Sequence, residues 1–153
     1  MALLSAVGAQ ALQGGKASVA SHSDRARAQS RSMEVVNLRQ KLATFQETWV
    51  PKIVGELNGQ HVKVAKLEGD YVWHAHQDED EMFFVVDGEL ELHLRDRVVT
   101  LQAGEFFIVP RGVEHRPVAL QRCSVVLFEP ATVRNTGEHV DERTIEPGDL
   151  ERI

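Results

Sequence analysis

The chain has 153 residues, 42% of them hydrophobic and 26% charged, which is enough apolar material for one core and too little for two. No apolar run approaches the roughly 18 residues that a membrane span needs. The single cysteine, Cys123, excludes an intramolecular disulfide and points to a reducing, cytoplasmic compartment.

The first 32 residues differ in composition from the rest. They are rich in Ala, Ser, Gln and Gly, and carry Lys16, Arg25, Arg27 and Arg31 against one acid, Asp24. Three origins fit this composition: a disordered native extension, an organelle transit peptide, or upstream codons read as protein ahead of a true start at Met33. In each case residues 1–32 are expected not to carry the fold, which is assigned to residues 33–153. The remainder holds 13 basic and 22 acidic residues. Such a surface is unsuited to nucleic acid, whose phosphates require clustered Lys and Arg.

From Met33 the chain becomes a punctuated series of short runs. Asn37 is placed to cap a short helix in which Leu38, Leu42 and Phe45 recur at helical spacing. After Trp49 and Pro51 the pattern turns to strands. KIVGEL and HVKVAKL flank Asn58-Gly59, a type I′ hairpin signal. FFVV and ELELHL flank Asp87-Gly88 in the same way, and RVVTL, EFFIVP and RCSVVLF follow. This regular spacing predicts an all-β antiparallel sandwich or barrel. No long helical pattern alternates with the strands, so a parallel sheet is not expected.

Two stretches concentrate the chemistry. In GDYVWHAHQDEDEMFFVVDG, His74 and His76 lie two residues apart, which on a strand sends both imidazoles to one side. Glu81 directly precedes the apolar MFFVV, so it enters the barrel wall, while Asp78, Glu79 and Asp80 form a solvated turn. A turn longer by one residue would exchange the roles of Asp80 and Glu81. In GEFFIVPRGVEH, His115 arrives after a Pro-x-Gly turn. His93 alternates with Leu92 and Leu94 and is expected to face solvent. His22, His61 and His139 are not expected to be ligands.

These stretches resemble the two motifs of the cupin superfamily. His74, His76, Glu81 and Gly88 fit the first motif, and Gly104, Pro110, Gly112 and His115 fit the second. Gly69 stands one residue closer to His74 than in the family pattern, and Ala119 occupies a place where many members carry asparagine. The match covers roughly residues 60–130. The resemblance implies a double-stranded β-helix, or jelly-roll, barrel with a short N-terminal helix. It also implies one divalent transition metal held by His74, His76, Glu81 and His115.

Three imidazoles and a carboxylate suit Mn, Fe, Co, Ni or Zn as divalent ions. Four protein ligands leave room for a further ligand, as catalysis requires. Trp73, Phe83 and Val85 are candidates to line or back such a site, and Lys63, Lys66, Arg111 and Arg116 to meet an anionic substrate. Chains of this size resemble small bacterial cupin-2 proteins of the mannose-6-phosphate-isomerase-like type. The leading expectation is a metal-binding cupin acting on a small polar metabolite, isomerase- or epimerase-like. A non-catalytic binding or sensor barrel and an Fe(II)-dependent dioxygenase are the alternatives. A homodimer is expected, with the segment from Trp49 to Leu57 pairing across the interface.

Overall fold

A computed structural model of the chain describes residues 34–153. The expected extension, residues 1–32, and the domain start at Met33 lie outside the described residues. One short helix, α1 (Leu38–Leu42), precedes seven strands: β1 (Lys52–Leu57), β2 (Gln60–Asp70), β3 (Glu81–Asp87), β4 (Glu89–Leu94), β5 (Val98–Gln102), β6 (Phe106–Val109) and β7 (His115–Pro130). Every pairing between these seven strands is antiparallel, and isolated parallel bridges join Thr48 to Lys66 and Ile53 to Arg152.

The local signals act as their chemistry dictates. The Asn37 side chain accepts a hydrogen bond from the Gln40 amide at 3.1 Å and caps α1. Asn58 and Gly59 turn the β1–β2 hairpin with φ of 52° and 79°, the two positive values a type I′ turn requires.

β7 organises the barrel. Its 16 residues pair with β2, β3 and β4 in turn, giving the order β1-β2-β7-β3-β6, with β4 and β5 joined through the first half of β7. The second motif's His115 and the run RCSVVLF are therefore one bent strand. Sequence punctuation separates them, because Pro117 and the exposed Leu120, Gln121 and Arg122 interrupt the apolar pattern. Pro117 sits opposite Leu92 without breaking the ladder.

Alternation divides the buried side chains between two sides of this wall. Ala65 and Leu67 of β2, Phe83 and Val85 of β3, and Val125 and Leu127 of β7 belong to the interior core, with Leu90 and Leu92. Val64 and Val126 face the other way, where Leu42 and Phe45 cover them. The helix and the turn after it thus bury the outer face of β2. Lys66 shares that outer face and donates to the Phe45 carbonyl at 2.7 Å.

The C-terminal residues return to the sheet. The Ile53 amide donates to Glu151 O at 2.8 Å, and the Ile153 amide donates to Ile53 O at 3.0 Å. This part of the β1 edge, expected to pair across a dimer, is occupied within the chain.

Candidate metal centre

The two motifs meet through backbone hydrogen bonds. His74 N donates to His115 O at 3.0 Å and His115 N to His74 O at 2.9 Å, a reciprocal antiparallel pair. Gly112 N donates to His76 O at 2.7 Å, so the turn of the second motif is fastened to the first. His74 makes only an isolated bridge, and His76 lies outside the strands. The expected strand through His-x-His is thus an extended segment between β2 and β3. Its alternation still sends both imidazoles inward, since both are buried while Trp73 before them and Ala75 between them are only partly buried.

His74, His76, Glu81 and His115 converge, and one ligand atom from each falls within 4.8 Å of the others. Glu81 shares its inward face on β3 with Phe83 and Val85, whereas Asp80 is exposed and accepts from the Arg111 amide at 2.9 Å. This removes the alternative in which the two acids exchange roles.

The ring orientations fit a metal. His74 Nδ1 and His115 Nδ1 each lie 3.0 Å from a backbone carbonyl, of Val72 and Val113. A carbonyl can only accept, so each Nδ1 carries the proton and each Nε2 presents a lone pair. His76 Nε2 and His115 Nε2 lie 3.2 and 3.3 Å from the same Glu81 oxygen, Oε2. All three atoms are buried without a hydrogen-bond partner among the described residues. Orphaned buried polar atoms are costly, and three of them facing one point are the arrangement that a cation satisfies.

Electrostatics point the same way. Burial, aided by the nearby His115, pushes the His74 imidazole down to about 4, which keeps it neutral. Burial alone would raise the Glu81 carboxyl, but positive charge and a proton donor on the facing ring nitrogens of His115 and His76, the place a cation would take, hold it below the usual carboxylate range. Burial opposes protonation of His76, and Glu81 overrides it, moving that imidazole up.

The cluster opens on a cavity lined by Trp49, Pro51, Ala65, Leu67, Tyr71, His74, Glu81, Phe83, Pro117, Leu127, Glu129 and Asn135. The cavity volume of about 30 Å³ is room for one or two waters. Trp49 and Tyr71 stack with centroids 4.8 Å apart and form one wall. Trp49 has φ of 63°, an outlier for a bulky residue, and its indole N–H is anchored to Glu68 O at 2.9 Å.

A matching profile for the cupin domain (Cupin_2) spans residues 60–129. A crystal structure of a cupin-2 domain containing protein from Shewanella frigidimarina superposes with a TM-score of 0.62 at 43% identity, covering 63% of this chain and 94% of that one. The chain belongs to the cupin-2 family. Protein NMB1881 from Neisseria meningitidis is a further neighbour in structure, with a TM-score of 0.59 at 39% identity over 63% of this chain and 99% of that chain. The uncharacterized protein YdbB of Bacillus subtilis is 38% identical over 64 residues, 41% of this chain and 57% of its own length, so the match spans little more than half of that relative.

Other expected site residues fall elsewhere in the cupin barrel. Phe83 lines the cavity and packs edge-on to His115 at 5.8 Å, and Val85 is buried in the core behind it. Trp73 instead lies beneath the Arg95 guanidinium, 3.8 Å from its ring centroid. None of the four cations expected to meet an anion lines the cavity. Lys63 is buried against Glu129, Lys66 bonds to Phe45 on the outer face, Arg111 pairs with Asp80, and Arg116 packs toward Trp73 and Asp70. His93 lies on the outer face but is only half-exposed, 2.8 Å from Glu91.

Sequence patterning missed Trp49, Tyr71, Asn135 and Glu129. The first three come from connecting segments. Glu129 lies in register with Val125 and Leu127 on the inner face of β7, and a carboxylate in that alternation was the available signal.

Proposed function

We propose that the chain is a metal-dependent cupin that acts on a small polar metabolite, with one divalent transition metal held by His74, His76, Glu81 and His115. The observation that carries this reading is the convergence of unpartnered Nε2 and Oε2 atoms on one buried point beside a cavity. Such an ion would act as a Lewis acid toward an oxygen-bearing ligand, which suits isomerisation or epimerisation. The protein's own share is to fix the imidazole tautomers through Val72 O and Val113 O and to surround the ligand with Trp49, Tyr71 and Phe83.

Metal content of the purified chain, with affinity for added Zn²⁺ and Mn²⁺, tests the reading. The expected result is near one equivalent for the wild type, loss of tight binding in His76→Ala, and no change in His93→Ala. Equal loss in both variants would overturn the assignment. We also propose that the chain forms a homodimer. Among the described strands β6 pairs only with β3, and it presents Phe106 and Ile108 at 60% and 49% exposure. An unprotected apolar edge of this kind favours pairing with a second chain.

A further inference from the structure

One buried polar residue outside the four-residue cluster also lines the cavity without a full set of partners. Glu129 is 2% exposed and its Oε1 accepts from Lys63 Nζ at 2.9 Å, while Oε2 is buried with no hydrogen-bond partner among the described residues. The register places Lys63 opposite Leu127 and His61 opposite Glu129, so Lys63 and Glu129 meet diagonally on the inner face of the β2–β7 pair. Apolar residues of similar volume would serve a barrel interior at least as well as a buried ion pair. Stability therefore does not account for the charges.

The pair has a polarity that selects its ligand. Lys63 is fully buried and engaged with Glu129, and among the described residues no lysine or arginine lines the cavity. The oxygen left over belongs to a carboxyl, and a second carboxylate, Glu81, lines the same cavity. In the metal-free cavity, phosphate and carboxylate groups would meet these oxygens with no cationic side chain among the described residues to receive them. A hydroxyl both donates and accepts, so it satisfies the Glu129 oxygen in either protonation state. The aromatic walls accept the carbon skeleton, and the limited room admits only a compact molecule.

We propose that Glu129, held by Lys63, is a ligand-binding residue whose free oxygen takes a hydroxyl, and that the cavity receives small uncharged hydroxylated molecules rather than phosphorylated ones. This rests on the cavity being the ligand chamber of the proposed metal site, and it narrows the substrate class to neutral hydroxycarbonyl compounds or polyols.

Hydroxyacetone and acetone, which differ by one hydroxyl, are the probes, with dihydroxyacetone and its phosphate as the charge comparison. Affinities are measured by ligand-observed NMR on the full chain, metal-free and Zn²⁺-loaded. The wild type should favour hydroxyacetone over acetone by about tenfold or more, as expected for a hydrogen bond to a charged group. The metal-free chain should also favour dihydroxyacetone over its phosphate. Because Glu129→Leu alone strands a buried lysine, the discriminating variant is the double Lys63→Met/Glu129→Leu, in which the hydroxyl preference should fall to near one while metal content is unchanged. Absence of the preference in the wild type, its survival in the double variant, or tighter binding of the phosphate by the metal-free chain would each overturn the proposal. Should the double variant not fold, wild-type chain labelled with ¹³C at the glutamate carboxyl decides. Hydroxyacetone and not acetone should shift the Glu129 resonance, and an unmoved resonance counts against the proposal. A hydroxyl preference that persists in a chain unable to hold metal would sink the metal reading and leave this one standing. Metal binding without the preference would do the reverse.

Discussion

His74 shows how one side chain is prepared by its own backbone. Its Nδ1 bonds the carbonyl two residues earlier, at Val72, and His115 repeats this with Val113. The proton is thereby held on the far side of each ring from the cluster. Burial makes protonation of His74 costly and takes the imidazole down to about 4, against 6.5 for the free group. In the unfolded chain His74 binds a proton below about 6.5, so its contribution to stability is present above that pH and is lost as pH falls toward 4. Glu129 has the opposite sign. Burial, reinforced by the charge of Glu81 and opposed by Lys63, pushes its carboxyl up to about 7. For Glu129 the folded state binds the extra proton, so stability falls as pH rises from the ordinary carboxylate range to about 7. The two trends offset each other in the metal-free wild type. Acidification from pH 6.5 to 4.5 should destabilise the Lys63→Met/Glu129→Leu chain more steeply than the wild type, as read from denaturant unfolding of metal-stripped protein at each pH. Parallel profiles would contradict the assignment at Glu129.

Among the elements, the segment after β7 bears most directly on the site. Gly137 has φ of 56°, and a Cβ there would stand 2.0 Å from Ala75 O. Ala75 is the residue between His74 and His76, so the C-terminal segment is packed directly on the backbone that aims two of the four ligand candidates. Asn135 ties the same segment down, donating to Tyr71 Oη and to Arg143 O at 2.8 Å each. Gly137→Ala must therefore displace either this segment or the His-x-His backbone. It is expected to cost about 1–3 kcal/mol, the range for strained backbone, and to weaken metal binding at the same time. Gly148→Ala, where an added Cβ meets nothing within 4 Å, is the control and should do neither. Denaturant unfolding and metal titration on both variants provide the measurement.

For the whole molecule, burial on both faces of β2 and β7 governs assembly. The interior core holds the barrel, while α1 and Phe45 close the outer face over Val64 and Val126. Among the described strands β1, β5 and β6 each pair on one side only, and the edges of β1 and β6 bear on assembly. At β1 the hydrogen bonds of Ile53 to Glu151 and Ile153 occupy part of the edge, and Lys52 is locked by Glu151 at 2.7 Å. At β6 the edge carries exposed Phe106 and Ile108. Sedimentation of the full chain should give a dimer. Removing residues 151–153 should expose the β1 edge as well and shift the distribution to higher species. A monomer at micromolar concentration would remove the dimer, and an unchanged distribution on truncation would show that the C-terminal residues do not guard the edge. No helix among the described residues is long and apolar enough to cross a membrane.

The strand positions, the Asn37 cap, the Asn58-Gly59 turn and the four converging side chains were legible in the sequence because each rests on a local rule. Periodicity places side chains on faces, glycine and asparagine supply positive φ, and fixed spacing within each motif carries the ligand candidates. The continuity of β7 through Pro117 was not legible, since a proline is tolerated where the ladder does not need its missing donor, and only neighbouring strands reveal that. The roles of Lys63, Lys66, Arg111 and Arg116 were decided by tertiary structure for a related reason. A long charged side chain can face solvent, substrate or a buried partner from the same place in the pattern. Glu129 and Lys63 are 66 residues apart in the chain, and only the β2–β7 register brings them together beside the cavity.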